Sequence, residues 1–397
     1  MESILNVFKV GFGPSSSHSI GPGKAAVIFK DRTKDAYRYV VELYGTLALT
    51  GRGHLTDKTI INVLGKSRTE IKFCPDVQYE YHPNGMKFYA YNENNELLES
   101  WLVFSVGGGE IRELNEDRTK SPIEVYKEKN FGEIIQTIEK DNIDIIEYIR
   151  RNEGNDIFKK LEELLLVMKD TIEKGLASDD YLPGNLHLKR KAKEMYDKYL
   201  ENKDLDTLLF ALALAMAEEN ANGGVVVTTP TCGASGVVPA VLFQEQKANK
   251  TSIEELAKAL GVAGLICNVV KTNGSISGAE VGCQGEVGVA CSAAAAALTY
   301  LKGGNIYNIE YSAEIALEHH LGMTCDPIEG LVQIPCIERN AMAARFAVSA
   351  SNYAMLSRTE HYVSFDSVIQ VMMATGKDLN IKYRESSTGG LALKARK

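Results

Sequence analysis

The chain has 397 residues, which favours two domains over one core, and its 45% hydrophobic and 24% charged residues are typical of folded globular proteins. A net charge of −8 argues against a nucleic-acid-binding surface. Seven cysteines without a secretory signal favour reduced thiols or metal ligands over disulfides. We therefore expect a cytoplasmic protein with neither a nucleic-acid nor a membrane partner.

The first distinctive segment is a polar loop at residues 11–24, GFGPSSSHSIGPGK. Ser15, Ser16, Ser17 and His18 lie in it between two Gly-Pro pairs, so it is either a capped polar turn or a binding loop for a small charged ligand. The second Gly-Pro pair predicts that a helix begins immediately after the loop.

A group of strands follows in the first domain. Val77, Tyr79 and Tyr81 alternate with polar residues, a HPNG turn comes next, and apolar runs continue at 88–91 and 101–106. This spacing predicts a meander of antiparallel strands.

The composition then becomes polar and charged, which indicates a domain boundary. We predict an α/β domain at residues 1–125 and a larger all-helical domain at residues 126–397, so the fold class is α+β. Apart from a short strand signal at 223–230, the second domain shows helical periodicity, at 143–149, 158–174, 189–203, 205–217, 253–260, 287–301, 312–320, 340–357 and 365–375.

Three cysteines differ from the others in their surroundings. Cys283, Cys325 and Cys336 each lie near Gly or Pro in an irregular stretch, whereas Cys267 and Cys291 lie in apolar helical sequence. Irregular backbone beside thiolates suits an iron–sulfur cluster, but the C-x41-C-x10-C spacing is not a compact ferredoxin pattern. Scattered structural cysteines remain the alternative, and zinc is less favoured because it prefers four closely spaced ligands.

Four separated strings carry a resemblance to a known family. GPSSSHSIGP, NGSISGAEVGCQGEVGVACSAAAAAL, LGMTCDPIEGLVQIPCIERNA and KYRESSTGGLA occur in this order and cover most of the chain. The chain resembles the iron–sulfur-dependent L-serine dehydratases (L-serine ammonia-lyases), in their single-chain form with the β domain fused ahead of the α domain.

The resemblance implies a [4Fe–4S] cluster in the helical domain, held by Cys283, Cys325 and Cys336, with its fourth iron left for substrate. It implies deamination of L-serine to pyruvate and ammonia, with the iron acting as a Lewis acid. It also implies an active site between the domains and a homodimer.

The chemistry also needs a base for the Cα proton, and His18 is the predicted base. Ser15, Ser16 and Ser17 are predicted to hold the carboxylate or ammonium group of the substrate. Further candidates for substrate binding come from two of the strings quoted above: Asn273, Ser275 and Thr388.

Two departures from the family leave alternatives open. Some members end in a cysteine that occupies the fourth iron, whereas this sequence ends GGLALKARK, so we expect an iron open to water or substrate. Cys232 stands in TTPTCGASG, where a small or polar residue is usual, and is either a buried small residue or a further ligand. L-Threonine or L-cysteine as substrate, and a non-catalytic cluster sensor, remain alternative functions.

Overall fold

In the described residues, 1–114, 123–357 and 361–394, the computed structural model confirms the predicted α+β class. A small domain containing a sheet precedes a larger helical domain. The strands are β1 (Val10–Phe12), β2 (Arg38–Tyr44), β3 (Thr69–Cys74), β4 (Gly85–Tyr91), β5 (Leu97–Gly107), β6 (Glu110–Glu113) and β7 (Val225–Val227).

The helices of the small domain connect its loops and strands, and they are α1 (Gly21–Arg32), α2 (Gly45–Thr50) and α3 (Thr56–Leu64). Those of the larger domain are α4 (Phe131–Asp141), α5 (Ile145–Glu153), α6 (Ile157–Ala177), α7 (Ala192–Asn202), α8 (Leu205–Ala221), α9 (Val237–Asn249), α10 (Ile253–Asn273), α11 (Gly278–Val281), α12 (Val287–Leu301), α13 (Ile306–Glu318), α14 (Cys336–Leu356) and α15 (Phe365–Asp378).

The small domain is built on a sheet with the strand order β3-β2-β4-β5-β6. Val41 of β2 lies opposite Phe88 of β4, and both side chains belong to the core between the sheet and α1. The ring centroid of Phe88 lies 5.3 Å from that of Phe29 on α1. This packing fixes α1 and, through it, the loop that precedes the helix.

The sheet is mixed rather than purely antiparallel, because β2 and β3 are parallel and are joined through α2 and α3. The strand predicted at residues 77–81 is wrong, since the backbone at residues 75–84 forms turns and irregular structure. The alternating tyrosines pack without a strand: the ring of Tyr79 lies 5.5 Å from that of Tyr44 and 5.3 Å from that of Phe104.

The alanine-rich helix α12 lies at the centre of the larger domain, where it packs against α9, α10, α13 and α14. Its alanines from Ala293 to Ala297 are fully buried, which confirms close helix packing. Helices α4, α9 and the short α11 of the larger domain were not predicted. The first eight residues of α9 are all buried, so its sequence shows no polar face from which a helical period could be read.

The start of the chain belongs to the core of the larger domain. Met1 and Phe8 are buried among its helices, and β1 then pairs with β7, with Val10 opposite Val227. The chain therefore contacts the helical domain before it enters the sheet domain. The predicted boundary between residues 125 and 126 follows residues 115–122, which lie outside the described residues, and it stays a prediction.

No single helix among the described residues is long and apolar enough to cross a membrane. The pair Gly278–Gly285 and Val287–Leu301, bent by 42°, reaches the required length and composition only when both parts are taken together. Most of its residues are buried inside the fold.

The packing around α12 predicts the cost of a larger side chain. Ala294→Leu should lower the free energy of unfolding by about 1–3 kcal/mol, because the extra atoms have no space between the helices. Urea unfolding measures this change. Ala374→Leu on the exposed side of α15 is the control and should change the unfolding free energy by less than about 0.5 kcal/mol. Equal effects at both positions would contradict the close packing.

Candidate active site

The serine loop, residues 13–20, contains a turn of π-helix over Ser16–Ile20 that continues directly into α1. Ser15 caps this turn, since its side-chain oxygen accepts a hydrogen bond of 3.1 Å from the backbone nitrogen of His18. The side chains from Ser15 to His18 are buried. Their polar groups therefore need partners inside the protein or on a ligand.

Hydrogen bonds from the larger domain hold this loop in place. The backbone nitrogen of Cys232 donates to Ser16 Oγ at 2.8 Å, and the side-chain amide of Asn220 donates to the carbonyl oxygen of Pro14 at 2.9 Å. The hydroxyl group of Ser16 is therefore already engaged in joining the two domains.

His18 is fixed on one side by threonines of α2. Its Nε2 atom lies 3.2 Å from the carbonyl oxygen of Thr46 and 3.0 Å from Thr50 Oγ1, which itself donates to the Thr46 carbonyl. A carbonyl oxygen only accepts hydrogen bonds, so Nε2 carries the proton of the neutral ring. Burial lowers the pKa of His18 to about 4, which keeps the ring neutral at pH 7.

The other ring nitrogen of His18 contacts two further residues. Nδ1 lies 2.9 Å from Ser17 Oγ and 3.2 Å from Glu385 Oε1. With the proton on Nε2, Nδ1 offers a lone pair to these groups. Both nitrogens of His18 therefore have partners within the protein.

The three predicted cysteine ligands come from separate parts of the larger domain. Cys283 lies in a 3₁₀ turn before α12, Cys325 lies in the loop after α13, and Cys336 is the first residue of α14. Cys325 also pairs with the C-terminal segment, since its nitrogen donates to the carbonyl oxygen of Tyr383 and its own carbonyl accepts from the nitrogen of Glu385, both at 2.7 Å.

One cavity brings these cysteines together with the serine loop. Residues of both domains line it, and the members that carry polar or sulfur atoms are Ser15, His54, Cys283, Cys325, Cys336, Glu286 and Glu385. The structure thus places Ser15 of the loop and the three cysteines around the same space, whereas Ser16, Ser17 and His18 do not line it.

The cavity is rich in acidic groups. Burial raises the pKa of both Glu286 and Glu385 to about 8, and that of the Cys283 thiol to about 11. Burial alone would lower the pKa of Arg339, but the neighbouring cysteines and Asp326 raise it. Without a further cation the acidic groups retain their protons, and a bound cation would allow them to ionise.

Two buried polar atoms of the cavity have no hydrogen-bond partner, His54 Nδ1 and Glu385 Oε2. The rings of His54 and His18 lie close together, with centroids 4.4 Å apart. Burial, followed by the neighbouring His18, lowers the pKa of His54 well below its usual value. His54 therefore places a neutral imidazole at the cavity wall.

Comparison with known proteins identifies the family. Residues 88–392 match the serine dehydratase alpha chain family and residues 3–70 the serine dehydratase beta chain family. L-serine dehydratase 2 of Escherichia coli is 38% identical, and the alignment covers 99% of both chains. The L-serine dehydratases of Haemophilus influenzae and Streptomyces coelicolor are 38% and 37% identical, over 99% and 98% of both chains. The chain belongs to the serine dehydratase family.

This membership confirms the resemblance read from the sequence, and it makes the protein a lyase with the alpha and beta parts fused in one chain. The alignment to the Escherichia coli serine dehydratase spans 452 positions. It is longer than this chain of 397 residues, so the relative carries segments that have no counterpart here.

The structure does not bring every predicted site residue of this serine dehydratase to the cavity. Asn273 is exposed at the end of α10, and its amide donates to backbone carbonyls. Ser275 donates to Glu280 in a neighbouring pocket. Thr388 is exposed and contacts Ser386. These three residues do not line the cavity that contains the cysteines.

Two carboxylates were missed by the sequence analysis. Glu286 follows Cys283 in the string CQGEVG, and Glu385 lies in RESSTGG, so both stand within the strings that carried the resemblance. A glutamate in a polar, glycine-rich segment usually lies in solvent, and only the packing of distant segments buries these two.

A separate group, of which His54 and Glu385 line the cavity, has the geometry for a single metal ion. One atom each from His18, His54 and Glu385 lie within 4.8 Å of one another, and all three residues are buried. Among the described residues, no group that meets this distance test includes a cysteine.

The lowered pKa of His18 predicts a dependence of stability on pH in the protein prepared without metal. The unfolded chain takes up a proton near the ordinary histidine pKa of 6.5, whereas the buried ring resists it until about 4. The contribution of His18 is therefore complete above pH 6.5 and is lost as the pH falls towards 4. Urea unfolding should show that His18→Gln reduces the slope of unfolding free energy against pH by about 1.4 kcal/mol per unit.

His187→Gln is the control, because His187 is exposed and a substitution there should leave this slope unchanged. An unchanged slope in His18→Gln would show that the buried ring takes up its proton as readily as an exposed one.

Proposed function

We propose that the chain is a [4Fe–4S]-dependent L-serine ammonia-lyase that converts L-serine to pyruvate and ammonia. The relatives named above are called L-serine dehydratases and align with almost the whole chain. The observation that carries the proposal is the cavity between the two domains, where Cys283, Cys325 and Cys336 share one space with Ser15 and His54.

The donor set of the cavity fits such a cluster. Cys283, Cys325 and Cys336 supply three thiols, and the fourth iron would be left for substrate. Each thiolate would bind a different iron, so the sulfurs need not meet the short separation that ligands of a single ion require. A Cβ atom at Gly278 would lie 3.2 Å from Cys325 Sγ, so this glycine keeps the space beside the sulfur open.

When bound, the cluster supplies a Lewis acid that polarises the substrate hydroxyl group. The residues of the chain have to orient the amino acid, exclude water and accept the Cα proton. The acidic character of the cavity supports this arrangement, because a bound group with positive charge would allow the buried thiols and carboxyl groups to ionise.

His54 is the group best placed to accept the proton. Its Nδ1 atom is buried at the cavity wall without a partner, and its low pKa keeps the ring in the neutral form that accepts a proton. His18, the base predicted from the sequence, has partners at both nitrogens. We therefore assign proton abstraction to His54 and the positioning of the Ser17 hydroxyl group to His18.

The serine loop orients the substrate in this proposal. Ser15 lines the cavity, and its hydroxyl lies 3.3 Å from Ser17 Oγ, which in turn contacts His18. This chain of hydroxyl groups presents hydrogen-bonding atoms to a small zwitterion. Loss of the Cα proton and of hydroxide gives an aminoacrylate, which becomes an imine and is hydrolysed to pyruvate and ammonia.

The cysteines predict which substitutions remove the cluster. Cys325→Ala should lose iron, sulfide and the visible absorbance of the reconstituted protein, together with release of pyruvate from L-serine. Cys267→Ala is the matched control, since Cys267 is a buried thiol inside α10 and should retain all four. Exposure of the wild-type protein to air should abolish activity.

Other results of this assay would favour other functions. A protein that binds its cluster but releases no pyruvate from L-serine would favour a sensor. Faster turnover of L-threonine or L-cysteine would retain the mechanism and change the substrate. Activity that survives both air and Cys325→Ala would contradict the cluster-dependent reaction.

The two histidines predict different effects on catalysis. His54→Gln should reduce kcat for L-serine by about 100-fold or more, because a positioned base contributes that much to proton removal. His361→Gln is the control, since this ring stacks on Tyr311 outside the cavity. Anaerobic kinetics, with iron content as a check, measure the effect. If His54→Gln kept its normal kcat and His18→Gln lost activity, His18 would be the base.

A further inference from the structure

Glu385 has a free carboxylate oxygen in the cavity. Its side chain is buried, and Oε1 lies 3.2 Å from His18 Nδ1. Oε2 is also buried and has no hydrogen-bond partner. Glu286 lines the same cavity, and its Oε2 accepts a hydrogen bond of 3.8 Å from Cys325 Sγ. A buried carboxylate oxygen without a donor is costly, so Glu385 indicates a ligand that brings one.

The backbone around Glu385 supports a functional role. Glu385 has φ of 55° and Ser387 has φ of 54°, in the left-handed region that residues with a Cβ atom seldom occupy. Two hydrogen bonds hold this conformation. The backbone nitrogen of Glu385 donates to the carbonyl oxygen of Cys325, and Ser387 Oγ donates to the carbonyl oxygen of Pro327 at 2.7 Å. The fold thus retains a glutamate at a strained position and directs its side chain into the cavity.

The chemistry of the cavity selects the kind of ligand. A carboxylate oxygen accepts hydrogen bonds and attracts positive charge, so its partner is a cation that also donates. The amino-acid substrate carries one such group, its α-ammonium. A metal ion held by His18, His54 and Glu385 is the alternative, but His18 Nδ1 is already 2.9 Å from Ser17 Oγ. Only His54 and Glu385 then have a free ligand atom, whereas a catalytic metal site commonly has three protein ligands.

We propose that Glu385 binds the α-ammonium group of the substrate and makes the site selective for α-amino acids over α-hydroxy acids. This inference rests on the proposed function and names the part of the substrate that the residue recognises. The hydroxyl group of Ser17 donates a hydrogen bond to the ionised carboxylate, while Oε2 receives the ammonium group. Residues on both sides of the domain junction are therefore needed to hold the substrate.

The test compares two small acids that differ only in this group. L-Alanine and L-lactate carry an ammonium and a hydroxyl group, respectively, on otherwise equal skeletons, and neither has the β-hydroxyl group that the reaction expels. Calorimetric titration of the anaerobic holoenzyme should show tighter binding of L-alanine. In Glu385→Gln the affinity for L-alanine should fall roughly 10- to 100-fold, as expected for loss of a charged hydrogen-bond partner, while that for L-lactate stays the same.

Steady-state kinetics give a second measure. KM for L-serine should rise roughly 10- to 100-fold in Glu385→Gln with a smaller change in kcat, because the ammonium contact is made in both the ground state and the transition state. Iron content should not change. Glu310→Gln is the control, since this buried glutamate pairs with His361 outside the cavity and should leave binding and kinetics unchanged.

A conservative variant guards against misfolding. Glu385→Asp retains the charge, and aspartate tolerates a positive φ better than most residues, so this variant should retain a preference for L-alanine. Equal losses of L-alanine and L-lactate binding in Glu385→Gln, or no loss of either, would overturn the proposal. A divalent metal ion beyond the cluster iron that is lost in Glu385→Gln would also overturn it.

The preference between L-alanine and L-lactate does not depend on turnover. A wild-type protein that prefers L-alanine but leaves L-serine unchanged would contradict the proposed function and retain the ammonium site. An active wild-type protein whose KM is unaltered by Glu385→Gln would retain the proposed function and contradict the ammonium site.

Discussion

The pairing of β1 with β7 is the constraint on which the site depends. It holds the start of the chain against the helical domain, with Val10 opposite Val227, immediately before the serine loop begins. Cys232, a few residues after β7, then donates its backbone hydrogen bond to Ser16. Ser16 follows β1 and Cys232 follows β7, so the pairing of these two strands brings both residues together. The position of the loop against the larger domain is therefore set by backbone hydrogen bonds on both sides of it.

The charges of the cavity explain why this junction suits a cationic group. Glu286 and Glu385 line the cavity together with three cysteines, and burial keeps the two carboxyl groups protonated near neutral pH in the absence of another cation. A bound cationic group stabilises their ionised forms, so cofactor or substrate binding and ionisation of the cavity favour each other. Burial of these carboxyl groups and thiols lowers the stability of the fold, and binding of a cationic group at the cavity would offset this loss.

The three cysteines of the cavity show how much of the site could be predicted from the sequence. Glycine and proline next to Cys283, Cys325 and Cys336 set these cysteines apart from thiols in regular helices, and the structure brings the three together. The family resemblance of the C-terminal string placed Thr388 near the site, whereas the chain turns at Glu385 and leaves Thr388 exposed. A local pattern shows that a segment is irregular. It does not show which side chain of that segment is buried, because this depends on distant partners such as Cys325 and Tyr383.

The contacts of the C-terminal segment suggest how cofactor and substrate are coupled. Cys325 pairs through its backbone with both Tyr383 and Glu385, so a proposed iron ligand and the proposed ammonium-binding residue belong to one hydrogen-bonded unit. A displacement of Cys325 would therefore also displace Glu385, whose Oε1 lies 3.2 Å from His18 Nδ1. The strained backbone at Glu385 makes this unit sensitive to small displacements, because the left-handed conformation persists only while its surrounding bonds hold it. Correct placement of the substrate-binding carboxylate is thus tied to an intact set of cysteine ligands.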